Sequence, residues 1–460
     1  MRINWHDLGK ARAGAADGTT VELYGFPVPP QPSWRSDHFL LVAEPACCPG
    51  CAPRDPLAAI EVFATAPLPM QAGALRLTGI WRNQGGAQAE PNHQVHAARL
   101  AQPAGWGRVT RRTALLGGPL ICLAGGARAD TTTAAARAVI EASPAIDIHS
   151  HAGGIASPRI IRTAALGEVA GPMKQGGMAV ACLAVVSDGP THRLMPDGRL
   201  HPYREPARNE LYGYAQEAFA RVLGMAKDQG LTLITNTAEL RAARAGRPSA
   251  IIAAEGADFL EGQVDRVDEA YHTWHLRHLQ LTHYRVNELG DIQTEAPVHN
   301  GLTDTGAEVI RRCNRLGIVV DVAHATYAMV VRAAAVTTKP LVLSHTSLTR
   351  SPGPFSRQIS TEHAKVIAGT GGVIGVWPPL TIYGSLPALA AGMARMVDAV
   401  GVDHVALGSD MRGLPHGSSF PEYDSLPGLA EALLGAGFNP QEAGKLLGGN
   451  YARVFTAAVG

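Results

Sequence analysis

The hydrophobic positions of the carboxyl-terminal two thirds of the chain follow a repeating pattern. Short apolar runs alternate with stretches in which apolar residues recur at helical spacing, as in 305–315 and 386–400. The runs predict buried parallel strands, and the stretches predict the helices that connect them. Eight candidate strands lie at 145–149, 178–186, 249–255, 278–283, 317–324, 340–345, 371–377 and 404–410. The pattern predicts an α/β fold, a (β/α)8 TIM barrel over residues 131–460.

The first 105 residues have a different pattern. Apolar runs at 21–29, 39–43, 58–63 and 75–81 are short and are separated by Pro and Gly. Such spacing predicts strands without intervening helices. Residues 1–105 are therefore expected to form a small N-terminal β-rich domain of unknown role, with a barrel as one candidate form.

Residues 106–130 form a linker that resembles an export signal. Arg111-Arg112 is followed by an apolar run of roughly 15 residues and by Ala127-Arg-Ala129. This order is typical of a twin-arginine signal, and the run is shorter than the ~20 residues of a membrane span. Three interpretations stay open: a true start at Val109, a fusion of two domains around an apolar tether, or a buried helix. If residues 109–129 act as a signal, the protein is periplasmic or exported; otherwise it is cytoplasmic.

Composition removes some function classes. The formal net charge of +1 offers no basic surface for nucleic acid or an anionic membrane. Cys122, Cys182 and Cys313 stand in apolar runs, where cysteines are usually inert core residues. The cluster formed by Cys47, Cys48 and Cys51 could be a metal site, a redox site, a disulfide or a plain turn.

Six of the eight predicted strands end in residues that can bind a metal or move a proton. A single histidine after an apolar run is more often a hydrogen-bonded turn residue. Six matching positions instead predict a shared site, because the carboxyl ends of barrel strands converge on one mouth. In strand order the residues are His149 and His151, Glu255, His283, His324, His345 and Asp410.

These residue types predict two divalent metal ions, with Zn2+ the best match to histidine and carboxylate ligands. His149 and His151 alternate on one strand and share a face. One ion would be held by His149, His151 and Glu255, and the other by Glu255, His324 and His345. Ions ~3.5–4 Å apart would activate a bridging water and polarise a carbonyl. Asp410 would take the proton of that water and pass it to the leaving amine.

Several stretches in this order resemble the membrane (renal) dipeptidase family, peptidase family M19. The resemblance covers about residues 130–460 and extends beyond the candidate ligands. The stretches are Leu281-Thr-His-Tyr-Arg-Val-Asn287, Gly301-Leu-Thr-Asp-Thr-Gly306, Asn314 to His324, Pro340 to Ser347, His404-Val-Ala-Leu-Gly-Ser-Asp410 and Leu446-Leu-Gly-Gly-Asn450-Tyr-Ala-Arg-Val-Phe455.

The resemblance implies a metallo-dipeptidase, a hydrolase with a TIM barrel of the amidohydrolase type. It implies metal-ligand roles for His149, His151, Glu255, His324 and His345. His283 matches the histidine that contacts the substrate carbonyl and the tetrahedral intermediate. Arg357 matches the arginine that binds the terminal carboxylate of the substrate, a task that suits a planar guanidinium. Asp410 matches the acid/base aspartate, and related enzymes are often homodimers.

Three positions depart from the family pattern. His151 stands where the family has Asp, and Ile148 where it has Gly. A His-x-His pair serves the wider amidohydrolase group, so metal binding is expected to survive. Arg412 stands where the family usually has a second acid. It favours an acidic substrate if it faces the pocket and has no such effect if it faces solvent.

Other functions remain open at this stage. The chain could be a different amidohydrolase, such as an N-acyl amino acid deacylase or a lactonase, or a non-catalytic binding barrel. No Lys ends a predicted strand, which favours a glutamate bridge over the carboxylated lysine of the wider group. A dipeptide or related amide is the expected partner, with no nucleic acid and no stable membrane span. The N-terminal domain could also have an activity of its own.

Overall fold

A computed structural model of the chain describes residues 16–28, 35–42, 59–69, 75–83, 93–100, 133–142, 144–158, 161, 165–195 and 199–460. These residues form two compact units, one with the N-terminal strands and one with the larger barrel. The linker 106–130 with its twin-arginine segment lies outside the described residues, as do Cys47, Cys48, Cys51 and Cys122.

The N-terminal unit is a closed five-stranded barrel. Its strands are β1 (Thr20–Val28), β2 (Arg35–Val42), β3 (Ala59–Pro69), β4 (Leu75–Asn83) and β5 (His93–Leu100), in the order β1-β2-β3-β5-β4. Leu23, Phe39 and Trp81 belong to its core. The prediction of a β-rich N-terminal region is confirmed. The strand β5 was missed, because only Val95 and Ala98 among its described side chains are buried apolar residues.

The second unit is an eight-stranded parallel barrel, and all eight predicted strands are present. A parallel bridge between Ser150 and Met411 joins the first strand to the end of the last. The strand ends differ from the predicted ones by at most three residues. The barrel strands are β6 (Ala145–Ser150), β7 (Met178–Val186), β11 (Ser249–Glu255), β12 (Leu276–Gln280), β13 (Val319–Asp321), β14 (Val342–Thr346), β15 (Val373–Val376) and β16 (Val405–Leu407).

The described helices of this unit are α1 (Ala134–Ala142), α2 (Ala170–Gly176), α3 (Glu210–Asp228), α4 (Thr237–Ala242), α5 (Arg266–Thr273), α6 (Asp304–Leu316), α7 (Tyr327–Val336), α8 (Thr361–Gly369), α9 (Leu386–Val400), α10 (Leu426–Gly435), α11 (Pro440–Gly444) and α12 (Asn450–Val459). Side chains such as Thr303 and Ser385 cap helix starts by accepting a backbone N–H. In the part of the chain that the structure describes, no helix is long and apolar enough to cross a membrane.

The barrel unit also contains three short strands outside the eight-stranded barrel. A hairpin of β8 (His192–Leu194) and β9 (Leu200–Pro202) follows β7, and β10 (Thr232–Leu233) pairs with β11.

The strands are buried on both faces, as in other parallel sheets covered by helices. Every residue of β7 is buried, including Cys182, and Cys313 of α6 is buried as well. Both cysteines are therefore core residues, as predicted. Inside the barrel, residues near the strand starts, such as Val180 and Val319, pack in one cluster with Tyr451 and Phe455 of α12. The polar strand ends are left at the opposite mouth.

Candidate metal centre

Glu255, the last residue of β11, lies among five imidazoles. Its side chain is only 3% exposed. Both carboxylate oxygens face histidine Nε2 atoms, and the two oxygens face different sets. Oε1 lies 3.4 Å from His149, 3.2 Å from His324 and 3.4 Å from His345, whereas Oε2 lies 3.1 Å from His151 and 3.3 Å from His283.

The imidazoles form two close pairs. The Nε2 atoms of His149 and His151 are 3.2 Å apart, and those of His324 and His345 are 3.0 Å apart. Asp410 extends the first pair, with Oδ1 3.4 Å from His151 Nε2. The structure thus brings together all six strand-end groups that the sequence singled out.

Strands and loops contribute differently to this cluster. His149 and His345 lie within strands, whereas His283, His324 and Asp410 each lie three residues beyond a strand end. The backbones of His324 (φ 67°) and Asp410 (φ 47°) are left-handed, a conformation that non-glycine residues adopt rarely and often at functional sites.

Outer partners orient three of these imidazoles with Nε2 inward. His151 Nδ1 lies 2.8 Å from the Ala184 carbonyl oxygen. The Ser344 hydroxyl lies 3.0 Å from His345 Nδ1 and 3.3 Å from His149 Nδ1. Such contacts fix the ring orientation of metal-binding histidines.

Burial and neighbouring charges set the protonation of the cluster. Burial lowers the pKa of His324 and of His345 well below the ordinary value, so both rings are neutral at neutral pH. Burial favours the uncharged form of Glu255, but His283 and His149 outweigh it and hold its pKa well below the ordinary value. Burial also opposes charge on His151, yet Asp410 and Glu255 raise its pKa to about 10.

The donor set fits divalent cations. Metals bind imidazole in its neutral form and carboxylate in its ionised form. His324, His345 and Glu255 already have these forms, whereas His151 would release a proton on metal binding. Three groupings of these ligand atoms lie within 4.8 Å of one another: His149, His151 and Asp410; His149, Glu255 and His345; and Glu255, His283 and His324. Inward-facing Nε2 atoms in contact, at a buried site, are best satisfied by cations between them.

Arg357 is also close to this centre. Its guanidinium bonds the side-chain oxygen of Gln293 and reaches the His345 carbonyl oxygen at 3.5 Å. Its charge contributes to the low pKa of His324. Nε of Arg357 is buried and has no hydrogen-bond partner among the described residues. The guanidinium therefore keeps an unused donor beside the centre.

Arg412 has a different environment. Its side chain is 50% exposed and forms an ion pair with Glu422. The expectation that it acts on an acidic substrate by facing the pocket receives no support from this arrangement.

The sequence reasoning missed Asp188, which lies two residues after β7. Its Oδ1 accepts a hydrogen bond from His283 Nδ1 at 2.7 Å, and it is fully buried. In the sequence, the apolar run of β7 is followed directly by Ser187-Asp188. This strand therefore also ends in polar residues, in addition to the six strand ends named above.

A family model for membrane dipeptidase (peptidase family M19) matches residues 133–459. The chain is also similar to dipeptidase tcpJ of Claviceps purpurea (strain 20.1), with 29% identity over 223 residues. That alignment covers 47% of this chain and 52% of tcpJ. The chain spans about half the length of the curated relatives it matches.

Two solved structures share the fold. One is the dipeptidase AC, a metallopeptidase of family M19, with a TM-score of 0.59 and 22% identity. The other is a metallopeptidase of Rhodobacter sphaeroides that holds a phosphinate mimic of the dipeptide L-Ala-D-Ala, with a TM-score of 0.56 and 21% identity. Each comparison covers 69% of this chain and 99% of the other. With the family model matched over residues 133–459, the chain belongs to the membrane dipeptidase family, peptidase family M19.

Proposed function

We propose that this protein hydrolyses the amide bond of dipeptides at a centre of two divalent metal ions. The observation that carries the proposal is the buried Glu255 carboxylate among five imidazoles, with Oε2 facing His151 and His283 and with Oε1 facing His149 and the pair of His324 and His345. Family membership and the similarity to dipeptidase tcpJ support the same activity.

We assign one ion to His149, His151 and Glu255, and the other to Glu255, His324 and His345. Zn2+ is the proposed ion, because imidazole and carboxylate donors suit it. Two such ions, when bound, supply a water of lowered pKa and polarise a carbonyl oxygen. The homodimer implied by the resemblance stays a prediction.

The remaining residues bind substrate and move protons. Asp410 lies beside His151, where its carboxylate can take a proton from the attacking water and return it to the leaving amine. His283 Nε2 lies near Glu255 Oε2, in position to contact the substrate carbonyl oxygen. Arg357 provides the donor for the terminal carboxylate, a charge-assisted contact that selects short peptides with a free carboxyl end.

The test is metal content measured together with activity. We would purify the full chain, count metals by elemental analysis, and assay amino acid release from a dipeptide panel before and after chelation. We expect about two metals per chain. We also expect cleavage that chelation abolishes, and an Asp410→Asn variant that keeps its metals and loses ~100-fold or more in kcat.

The exposed Asp398 of α9 provides the matched control, because Asp398→Asn should leave kcat unchanged. Two metals without cleavage of any dipeptide would move the function to another amidohydrolase reaction, such as deacylation or lactone hydrolysis. A chain that binds no metal in the presence of excess Zn2+ would refute the proposed centre.

We also propose export through residues 109–129, supported by Arg111-Arg112 and the apolar run that follows. A reporter fused after residue 130 should reach the periplasm of a bacterial host. An Arg111→Lys, Arg112→Lys double variant should hold the reporter in the cytoplasm. Equal export of both fusions would contradict the proposal.

A further inference from the structure

Asp188 is a fully buried carboxylate that none of the roles assigned above requires. Its two oxygens are directed at one short segment of the chain. His283 Nδ1 donates to Oδ1 at 2.7 Å, and the backbone N–H of Tyr284 donates to Oδ2 at 3.0 Å. The carboxylate therefore accepts hydrogen bonds from both the His283 imidazole and the Tyr284 backbone in the loop after β12.

A second histidine contacts the same carboxylate. His192 Nδ1 lies 3.3 Å from Asp188 Oδ1 and 3.2 Å from the Asp188 carbonyl oxygen. The rings of His192 and His283 meet edge to face, with centroids 5.0 Å apart. The rings of Tyr284 and His324 also pack against the His283 ring, with centroids 4.5 and 4.7 Å from its centroid. Ring contacts and the Asp188 bond together leave His283 little freedom to rotate.

The Asp188 bond also decides which nitrogen of His283 faces the metal centre. A carboxylate at 2.7 Å places a proton on Nδ1 and keeps that nitrogen turned outward. Nε2 is then directed toward Glu255 Oε2, 3.3 Å away. Without the carboxylate, the ring could turn about χ2 and exchange the two nitrogens.

We propose that Asp188 is a positioning residue that acts on the reaction through His283. The inference rests on the proposed function, because it assigns to His283 a contact with the substrate oxygen. Carboxylates that orient a histidine in this way usually change activity by ~10–100-fold when removed. The effect is expected mainly in kcat, because the His283 contact strengthens as the carbonyl becomes tetrahedral.

A purely structural role would look different, and Asp291 illustrates it. Asp291 is equally buried, but its oxygens accept only backbone hydrogen bonds among the contacts described, from Val298, His299 and Gly301. Asp291→Asn is therefore the matched control, since it removes one charge from a buried loop-forming carboxylate that has no hydrogen bond to an imidazole among the contacts described.

The test compares Asp188→Asn with that control in the full-length, metal-loaded protein. We expect Asp188→Asn to lower kcat ~10–100-fold with little change in KM and with metal content unchanged. A phosphinate dipeptide mimic, measured by calorimetry, should bind more weakly by a similar factor. Asp291→Asn should lower thermal stability without a selective loss of kcat or of phosphinate affinity.

A double-mutant cycle tests whether the effect passes through His283. In a His283→Gln background, adding Asp188→Asn should change kcat less than twofold. Independent losses in the two variants would overturn the proposal, as would wild-type kcat and phosphinate affinity in Asp188→Asn. His192→Gln, which keeps the bond between Asp188 and His283, is expected to have the smaller effect. Asp188→Glu, which keeps the charge but displaces the carboxylate oxygens from His283, is the second variant if Asp188→Asn folds poorly.

Failure of the proposed function is distinguishable from failure of this inference. If wild type cleaves no dipeptide and binds no phosphinate, the function is wrong, and a crystal structure of Asp188→Asn still reports the His283 ring. A ring that keeps Nε2 toward Glu255 in that variant would overturn the positioning role. A rotated or disordered ring would support it.

Discussion

Asp147 of β6 accepts a hydrogen bond from the backbone N–H of Ser409, 262 positions later in the chain, at 2.8 Å. The Ser409 hydroxyl and, at 3.1 Å, the Tyr423 hydroxyl bond the same buried carboxylate. Because Ser409 directly precedes Asp410, the bond joins the first barrel strand to the loop that carries the proposed acid/base group.

Removal of this carboxylate should cost both stability and activity. In Asp147→Ala, buried donors lose their acceptor, which should lower the free energy of unfolding by about 3 kcal/mol. Urea denaturation measures the loss, and kcat should fall because Asp410 is less well held. The exposed Asp398→Ala should change stability by less than about 0.5 kcal/mol. A variant with wild-type kcat would show that Asp410 does not depend on Asp147.

The charge of Glu255 should be essential for metal binding. Glu255→Gln keeps the shape of the side chain but removes the charge that would face both ions. We expect it to retain less than one metal per chain, and added Zn2+ should no longer raise its melting temperature. Wild type should gain about 2.7 kcal/mol at a metal concentration 100 times Kd. Glu239→Gln in α4 is the control, and equal metal content in both variants would contradict the bridging role.

Replacement of Arg357 should affect binding of the substrate carboxylate. Arg357→Lys keeps a charge but loses the planar fork, so KM for dipeptides should rise ~10–100-fold with little change in kcat. Dipeptide amides, which lack the carboxylate, should show no such rise. Arg412→Lys should leave KM unchanged, because Arg412 is exposed and paired with Glu422. An equal rise for dipeptides and their amides would refute the assignment.

The stability of the metal-free protein should depend on pH through His363 of α8. Burial, aided by the charge of Arg357, lowers the pKa of His363 to about 4. The unfolded chain binds the proton first as pH falls, so stability present at neutral pH is lost between about 6.5 and 4. The full loss corresponds to about 3 kcal/mol at 1.36 kcal/mol per pKa unit.

Urea denaturation of chelated protein between pH 4 and 7 measures this loss. His363→Asn should lose less stability than wild type over the same range. His272→Asn, at an exposed position of α5, is the matched control. Identical pH profiles for His363→Asn and wild type would show that this histidine is not responsible.

Much of the barrel could be predicted from local pattern. An apolar run followed by an amphipathic stretch specifies a strand and its connecting helix through burial, which is a property of neighbouring residues. All eight barrel strands were found in this way. The strand β5 of the N-terminal barrel was not, because its few buried apolar residues produce no clear pattern.

The convergence of these strand-end residues was predictable for a related reason. In a parallel barrel all strands have the same direction, so residues at strand ends meet at one mouth whatever their sequence separation. This rule predicts that Glu255, His324 and Asp410 lie at one centre. The tertiary structure decided the rest: which oxygen of Glu255 faces which imidazole, that Arg412 turns to Glu422, and that Asp147 and Asp188 hold loops distant in sequence. Those outcomes depend on side-chain rotamers and on partners ten to 262 positions apart, which no local pattern encodes.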